Sequence, residues 1–206
     1  MTETNKPRGK GASAEGSRRR VPPGQYLVEK WPVLSYGPTP PFDPKRWDFR
    51  IFGLVEEPVR LTYEEFRALP RTELVADFHC VTAWSRLDNR WQGVRAGDVV
   101  GLVRLRPGAD YVTVHCDGGY TTNLSLAELL QEDVVFADRH DGKDLDPDHG
   151  WPLRLVVPAL YAWKSAKWVR GLEFLGENRR GFWELRGYHV RGDPWNEERY
   201  SDQEEP

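Results

Sequence analysis

Trp47-Asp48-Phe49-Arg50-Ile51-Phe52-Gly53-Leu54-Val55 alternates apolar with polar positions and closes on glycine, the period of a half-buried strand. Glu56-Glu57-Pro58 reads as a turn and Val59-Arg60-Leu61 as another short strand. Thr62-Tyr63-Glu64-Glu65 has capping-box spacing and opens a helix over Tyr63–Ala68, which Pro70 stops. Alternation returns from Thr72 to Cys80, with Leu74, Ala76 and Phe78 set against Glu73, Val75 and Asp77. A tight polar run, Arg86 to Arg90, precedes Trp91-Gln92-Gly93-Val94, which leads into a helix over about Ala96 to Leu105. Tyr111–Cys116 is a strand, and Asp117-Gly118-Gly119-Tyr120 turns into a second short one. Ser125 caps a helix through Leu130, and Val134–Ala137 is a strand.

A polar loop follows from Asp138 to Gly150. The proline-bounded strand Trp151–Pro158 carries a single arginine, Arg154. An aromatic and basic turn runs from Tyr161 to Lys167, and Trp168–Leu175 closes the sheet with clear alternation. Many short strands with three short helices in non-alternating order predict an α+β fold, a β-rich mixed-sheet single domain over residues 46–176. Outside it, residues 1–20 have no apolar periodicity and read as a disordered tail. Residues 21–45 are a Pro-rich extended arm without helix or regular sheet, docked by its large apolar side chains. Residues 177–206 read as a polar and aromatic tail wrapped over the domain.

At 206 residues, 39% apolar and 30% charged, the chain is long enough to bury a substantial core. A net charge of −3 gives no field favouring nucleic acid or an anionic membrane, so any basic site is local. No apolar run reaches the roughly 18 residues of a membrane helix. Arg18-Arg19-Arg20 has the charge of a twin-arginine export signal, but Val21-Pro22-Pro23-Gly24-Gln25 stands where the apolar run belongs. The three arginines then read as solvated tail. With only two cysteines the chain is no disulfide scaffold, and the expected compartment is the cytoplasm.

Chemistry concentrates in two stretches. Phe78-His79-Cys80-Val81-Thr82-Ala83-Trp84-Ser85 sets a thiol beside an imidazole at a strand end. From its neighbours alone Cys80 reads as a metal ligand, a nucleophile or a small buried hydrophobe. The second stretch holds His149 and Arg154, then Tyr161-Ala162-Trp163-Lys164-Ser165-Ala166-Lys167-Trp168. Guanidinium, ammonium and turn amides together suit a phosphorylated, largely buried cofactor, although the lysines of a solvated turn would look the same. Walker, Gly-x-Gly-x-x-Gly, Gly-x-Ser-x-Gly and paired Cys-x-x-Cys motifs are missing.

Read in order, five pieces resemble the molybdopterin-binding oxidoreductase domain of the sulfite oxidase family, particularly its short bacterial members. They are Phe78–Ser85, Trp91-Gln92-Gly93-Val94, Asp117–Thr122, His149-Gly150 with Pro152–Pro158, and Lys164-Ser165-Ala166-Lys167-Trp168. The resemblance covers about residues 45 to 176, and the segment Gly181–Tyr188 also looks like the short members. It implies an enzyme moving an oxygen atom and two electrons between a small-molecule substrate and molybdenum carried by a single molybdopterin. By position, Cys80 matches the thiolate ligand of the metal. His149, Arg154, Lys164, Ser165, Ala166 and Lys167 match residues that hold the pterin and its phosphate. His79 is a candidate for the pterin or the metal's surroundings, Gln25 for an arm contact, and Tyr120 for the substrate face. The resemblance further implies an unidentified electron-transfer partner; charge and hydropathy predict neither nucleic acid binding nor membrane insertion. Against the family pattern, 206 residues leave no room for a haem or an immunoglobulin-like domain, and no cationic substrate pocket is identifiable. A non-catalytic binding module of the same fold and a cysteine-nucleophile hydrolase are the rival readings.

Overall fold

A computed structural model describes residues 19–204; most of the predicted N-terminal tail lies outside them. The alternating segments become strands in two sheets, each mixing parallel and antiparallel neighbours. In the first, β1 (Tyr26–Leu27), β5 (Trp84–Arg95), β8 (Val135–His140) and β10 (Arg154–Val156) follow one another. There β4 (Thr72–His79) pairs with the other edge of β5, and β9 (Lys143–Asp144) with β8. The second sheet runs β3 (Val59–Thr62), β2 (Asp48–Gly53), β11 (Val169–Leu175), β6 (Tyr111–Cys116) and β7 (Thr121–Ser125). Phe49, Ile51, Val112, Val114, Val169, Leu172 and Phe174 are its fully buried apolar side chains. Three short helices complete the fold: α1 (Tyr63–Arg67), α2 (Ala96–Val100) and α3 (Leu126–Leu129). Thr62 with Glu65 and Ser125 with Glu128 form reciprocal capping boxes that start α1 and α3.

Five sequence expectations change. The polar run Arg86–Arg90 is the middle of β5, because its charges find partners across the sheet: Arg86 with Asp141, and Arg90 with Glu73. The predicted loop after Asp138 opens instead as the end of β8 and a hairpin to β9, since His140 and Arg139 pair with Trp91 and Gln92 of β5. Helix α2 stops at Gly101 instead of Leu105, whose backbone bridges to Val55. The arm is not free of sheet either. Tyr26 donates its N–H to Ala83 O at 2.8 Å and Val28 to Ser85 O at 2.9 Å, laying β1 parallel to β5. Arg20 is likewise not solvated tail; it pairs with Asp77 and Asp88.

Gly93 is where β5 crosses closest to β8. A Cβ there would stand 1.9 Å from Phe136 O, so only glycine lets the register shift between Gln92 and Gly93 pass. This crossing fixes the β4–β5 turn against β10, and that relation positions the site.

Candidate cofactor site

Cys80 sits at the head of the β4–β5 connection. Cys80 N donates to Trp84 O at 2.9 Å and Ala83 N to Cys80 O at 3.0 Å, closing a tight turn in which Ala83 adopts φ +72°. The side chain is only 6% exposed, with Sγ 3.1 Å from Thr82 Oγ1. Burial pushes its thiol above the ordinary cysteine value. Gln25 of the arm supports the turn from behind, donating from Nε2 to Cys80 O at 3.1 Å. His79, also buried, has Nδ1 2.8 Å from Ser85 Oγ. Its imidazole therefore braces the strand and is not on the cavity wall.

Opposite this turn lies Arg154. Pro147–His149 forms a single helical turn that ends on Gly150 at φ +116°. A Cβ on Gly150 would press on Arg154 Cβ at 3.0 Å and Lys167 Cβ at 3.2 Å, so glycine lets the three residues converge. Arg154 is 3% exposed and donates to His149 O at 2.8 Å and Ser165 O at 2.7 Å. Its guanidinium lies 5.0, 5.2 and 5.6 Å from the ring centroids of Trp31, Phe78 and Trp91. No carboxylate pairs with it among the described residues, and its Nε is buried without a partner. Burial alone pulls its pKa down to about 9. Lys167 is similar: Nζ donates to Leu34 O at 2.9 Å, Asp148 O at 2.8 Å and Ser35 Oγ, all uncharged. Burial, then the neighbouring Arg154, lowers it to about 8. His149 stacks on Trp31 at 3.9 Å, and its Nε2 is a further buried atom without a partner.

Cys80, Tyr120, His149, Arg154, Ser165, Ala166 and Lys167 all face one cavity of about 720 Å³, roofed by the arm from Trp31 to Pro41. That volume is in the range of cofactor and ligand sites. Within the turn, Ser165 Oγ accepts from Val157 N at 2.9 Å, while the Ala166 and Lys167 amides donate to no described group. Lys164 does not join them. Its ammonium is wholly buried on the far side, bonded to Asn123 O and Oδ1, to Val190 O, and at 2.5 Å to Glu184. With every donor used, its side chain is a structural anchor. Gln25 and His79 likewise stand outside the cavity wall. Tyr120 lines the cavity, but its hydroxyl is spent on Trp163 O at 2.6 Å.

The arrangement fits a molybdopterin. A buried guanidinium, a half-buried ammonium and two unpartnered ring or guanidinium nitrogens suit an anionic, polar group, and a thiol stands across the cavity. Among the described residues no cluster of three or more His, Cys, Asp or Glu side chains is placed to hold a metal ion. A metal at Cys80 would take its other ligands from a non-protein group.

A family model described as the oxidoreductase molybdopterin binding domain matches residues 36–183. The chain belongs to this family of molybdopterin-binding oxidoreductases. The enzyme is 49% identical over 183 residues, 88% of this chain and 92% of the relative, to the "Uncharacterized oxidoreductase YuiH" of Bacillus subtilis. It is 26% identical to the sulfite oxidase of Arabidopsis thaliana, over 82% of this chain and 54% of that protein. In fold it is similar to the sulfane dehydrogenase SoxCD of Paracoccus pantotrophus, at TM-score 0.62 and 18% identity, covering 85% of this chain and 57% of that one. The oxidoreductase thus carries the sulfite oxidase-like mixed-sheet fold and a molybdenum–molybdopterin cofactor. No helix among its described residues is long and apolar enough to cross a membrane.

Sequence reasoning missed two residues of this oxidoreductase's cavity wall, Trp31 and Tyr188, and the buried counterion Glu184 behind it. Trp31 was hidden in the Pro-rich arm, Glu184 in the C-terminal segment, and Tyr188 in a stretch that carried resemblance but no assigned role. Tyr188 lines the cavity, and its hydroxyl has no partner among the described residues. Burial raises its pKa, and the charges of Tyr200 and Cys80 add to that.

Proposed function

We propose that the protein is a mononuclear molybdenum oxidoreductase in which Cys80 supplies a thiolate to the metal of a single molybdopterin. What supports this reading above all is the buried, carboxylate-free Arg154 facing the same cavity as Cys80. Arg154 and Lys167 hold the cofactor's phosphate, the first by a planar fork and the second as a point charge. The Ala166 and Lys167 amides add donors, and His149, stacked on Trp31, meets the pterin. When bound, the cofactor supplies two-electron redox chemistry and oxygen-atom transfer. The chain's residues then orient and seal. Burial at the turn excludes water from Cys80, and the arm closes the cavity through Trp31 and the Lys167 bonds. Tyr188, near Cys80 and with its hydroxyl unengaged, is placed to hold or donate a proton at the substrate's oxygen. In this reading Tyr120 shapes the wall. Residues 46–176 form the catalytic domain, with the arm and the C-terminal segment closing it.

The substrate is a small molecule, and an electron-transfer partner that is yet to be identified completes the cycle. We place the enzyme in the cytoplasm, where its free cysteines Cys80 and Cys116 stay reduced. The hydrolase reading is disfavoured because the adjacent imidazole of His79 is engaged by Ser85. Protein purified from a host that makes the cofactor should contain one molybdenum and one pterin per chain. A pterin-free protein, or two pterins per metal, contradicts the proposal.

A further inference from the structure

The turn that carries Cys80 is held from outside the cavity by both segments that flank the domain. Gln25 of the arm donates to Cys80 O at 3.1 Å, and Arg199 of the C-terminal segment donates to Val81 O at 2.5 Å. Neither side chain is on the cavity wall. Arg199 is itself fixed. Its N–H donates to Gln203 Oε1 at 2.7 Å, its carbonyl accepts from His189 N at 3.1 Å, and its guanidinium lies 5.2 Å from the Tyr161 ring. The two segments meet at Gly24, φ +68°, where a Cβ would stand 3.0 Å from Glu197 Oε1 and 3.4 Å from Arg199 Nη2.

A trans peptide is planar, with its C=O and N–H pointing in opposite directions. Drawing the Cys80 carbonyl towards Gln25 therefore turns the Val81 N–H away from Gln25, and drawing the Val81 carbonyl towards Arg199 turns the Thr82 N–H away from Arg199. Neither amide donates to a backbone carbonyl among the described residues. Both act instead on the Cys80 sulfur, which also lies 3.1 Å from the Thr82 hydroxyl. Burial raises the thiol pKa most; the Thr82 hydroxyl and amide, the Arg199 charge and the Val81 amide oppose it, in that order. Two successive amides and a hydroxyl make a concave donor set for a sulfur anion.

We propose that Arg199 and Gln25 are positioning residues for the metal-ligating sulfur, aiming the Thr82 and Val81 amides at it and so setting the reduction potential of the molybdenum. This rests on the oxidoreductase reading above, with Cys80 as the thiolate, and adds what tunes it. Donors aimed at the sulfur withdraw its charge from the metal and favour the reduced, more negative centre, so they raise the potential. The Arg199 charge acts in the same direction, since its nearest carboxylate, the half-exposed Glu197, is 3.7 Å away.

The test is a redox titration of the molybdenum-loaded full chain, followed by the EPR signal of the one-electron-reduced metal, with metal and pterin assayed on the same samples. Arg199→Met keeps the stem and removes donor and charge. It should lower the midpoint potential by about 60 mV, the equivalent of tenfold in a one-electron equilibrium constant. Arg199→Lys should recover at least half of that shift, and Gln25→Met, which removes a neutral donor, should give a smaller shift of the same sign. A residue that only held the fold would change melting or cofactor content and leave the potential of the loaded fraction in place. An unmoved or raised potential in loaded Arg199→Met overturns the proposal, as does an Arg199→Lys protein no closer to wild type. If Arg199→Met fails to fold, Gln25→Met decides, and an unmoved potential there overturns the proposal equally. A wild-type chain without molybdenum or pterin sinks the cofactor reading and this inference with it, whereas an unmoved potential in loaded variants sinks this inference alone.

Discussion

Lys164 and Lys167 stand in one turn, three residues apart, and their surroundings are opposite. Lys164 meets a carboxylate: Glu184, buried with it, also accepts from Trp163 Nε1 at 3.0 Å and Thr122 Oγ1 at 3.1 Å. Lys167 bonds only neutral oxygens, with the Asp148 carboxylate near it but not bonded, and Arg154 beside it pairs with no carboxylate among the described residues. A buried cation with its own counterion is complete as folded and ties segments together, here the C-terminal segment to the cavity wall. The buried Arg154 and the half-buried Lys167 have no bonded counterion among the described residues, and an anion from outside would complete them. The difference lies in the environment and not in the residue type, and it separates anchor from binding group.

Glu184→Gln gives the largest expected effect. It leaves the Lys164 charge buried without a counterion and should cost about 3–5 kcal/mol of unfolding free energy, read by denaturant melts. Adding Lys164→Met should recover most of that, because a neutral pair needs no compensation. Full stability in the single variant would erase the distinction between the two lysines.

Removing Lys167 should act on the other axis. Lys167→Gln should leave stability nearly unchanged and weaken cofactor retention by about tenfold, the worth of one charge-assisted contact. The same group predicts a pH dependence. Its pKa in the folded chain lies at about 8, below the ordinary lysine value, so the unfolded chain binds more protons above that point. Stability of cofactor-free protein should therefore rise as pH climbs from about 8 towards 10. Phosphate binding needs the protonated form, so cofactor affinity should fall through the same window. Pterin retention after dialysis at both ends of that window checks the sign, and a flat profile contradicts it.

Much of this was legible because the relevant rules are local. The capping boxes at Thr62 and Ser125, the alternation of β2, β4 and β11, and the strand end that delivers Cys80 each depend on a few adjacent residues. Arg86–Arg90 was not legible, since its charges are satisfied by Asp141 in the β8–β9 turn and by Glu73 on β4. The same holds within the site. Spacing grouped Lys164 with Lys167, and only the fold shows Glu184 claiming the first. It equally hid Tyr188, whose cavity position depends on how the C-terminal segment wraps.

The account stands on Cys80 and Arg154 being two walls of one molybdopterin site. X-ray absorption at the molybdenum edge, on wild-type protein and on Cys80→Ser, tests that directly. The account predicts one sulfur neighbour fewer in the variant, with pterin still retained by the Arg154 and Lys167 wall. An unchanged sulfur count in a fully loaded variant would contradict it.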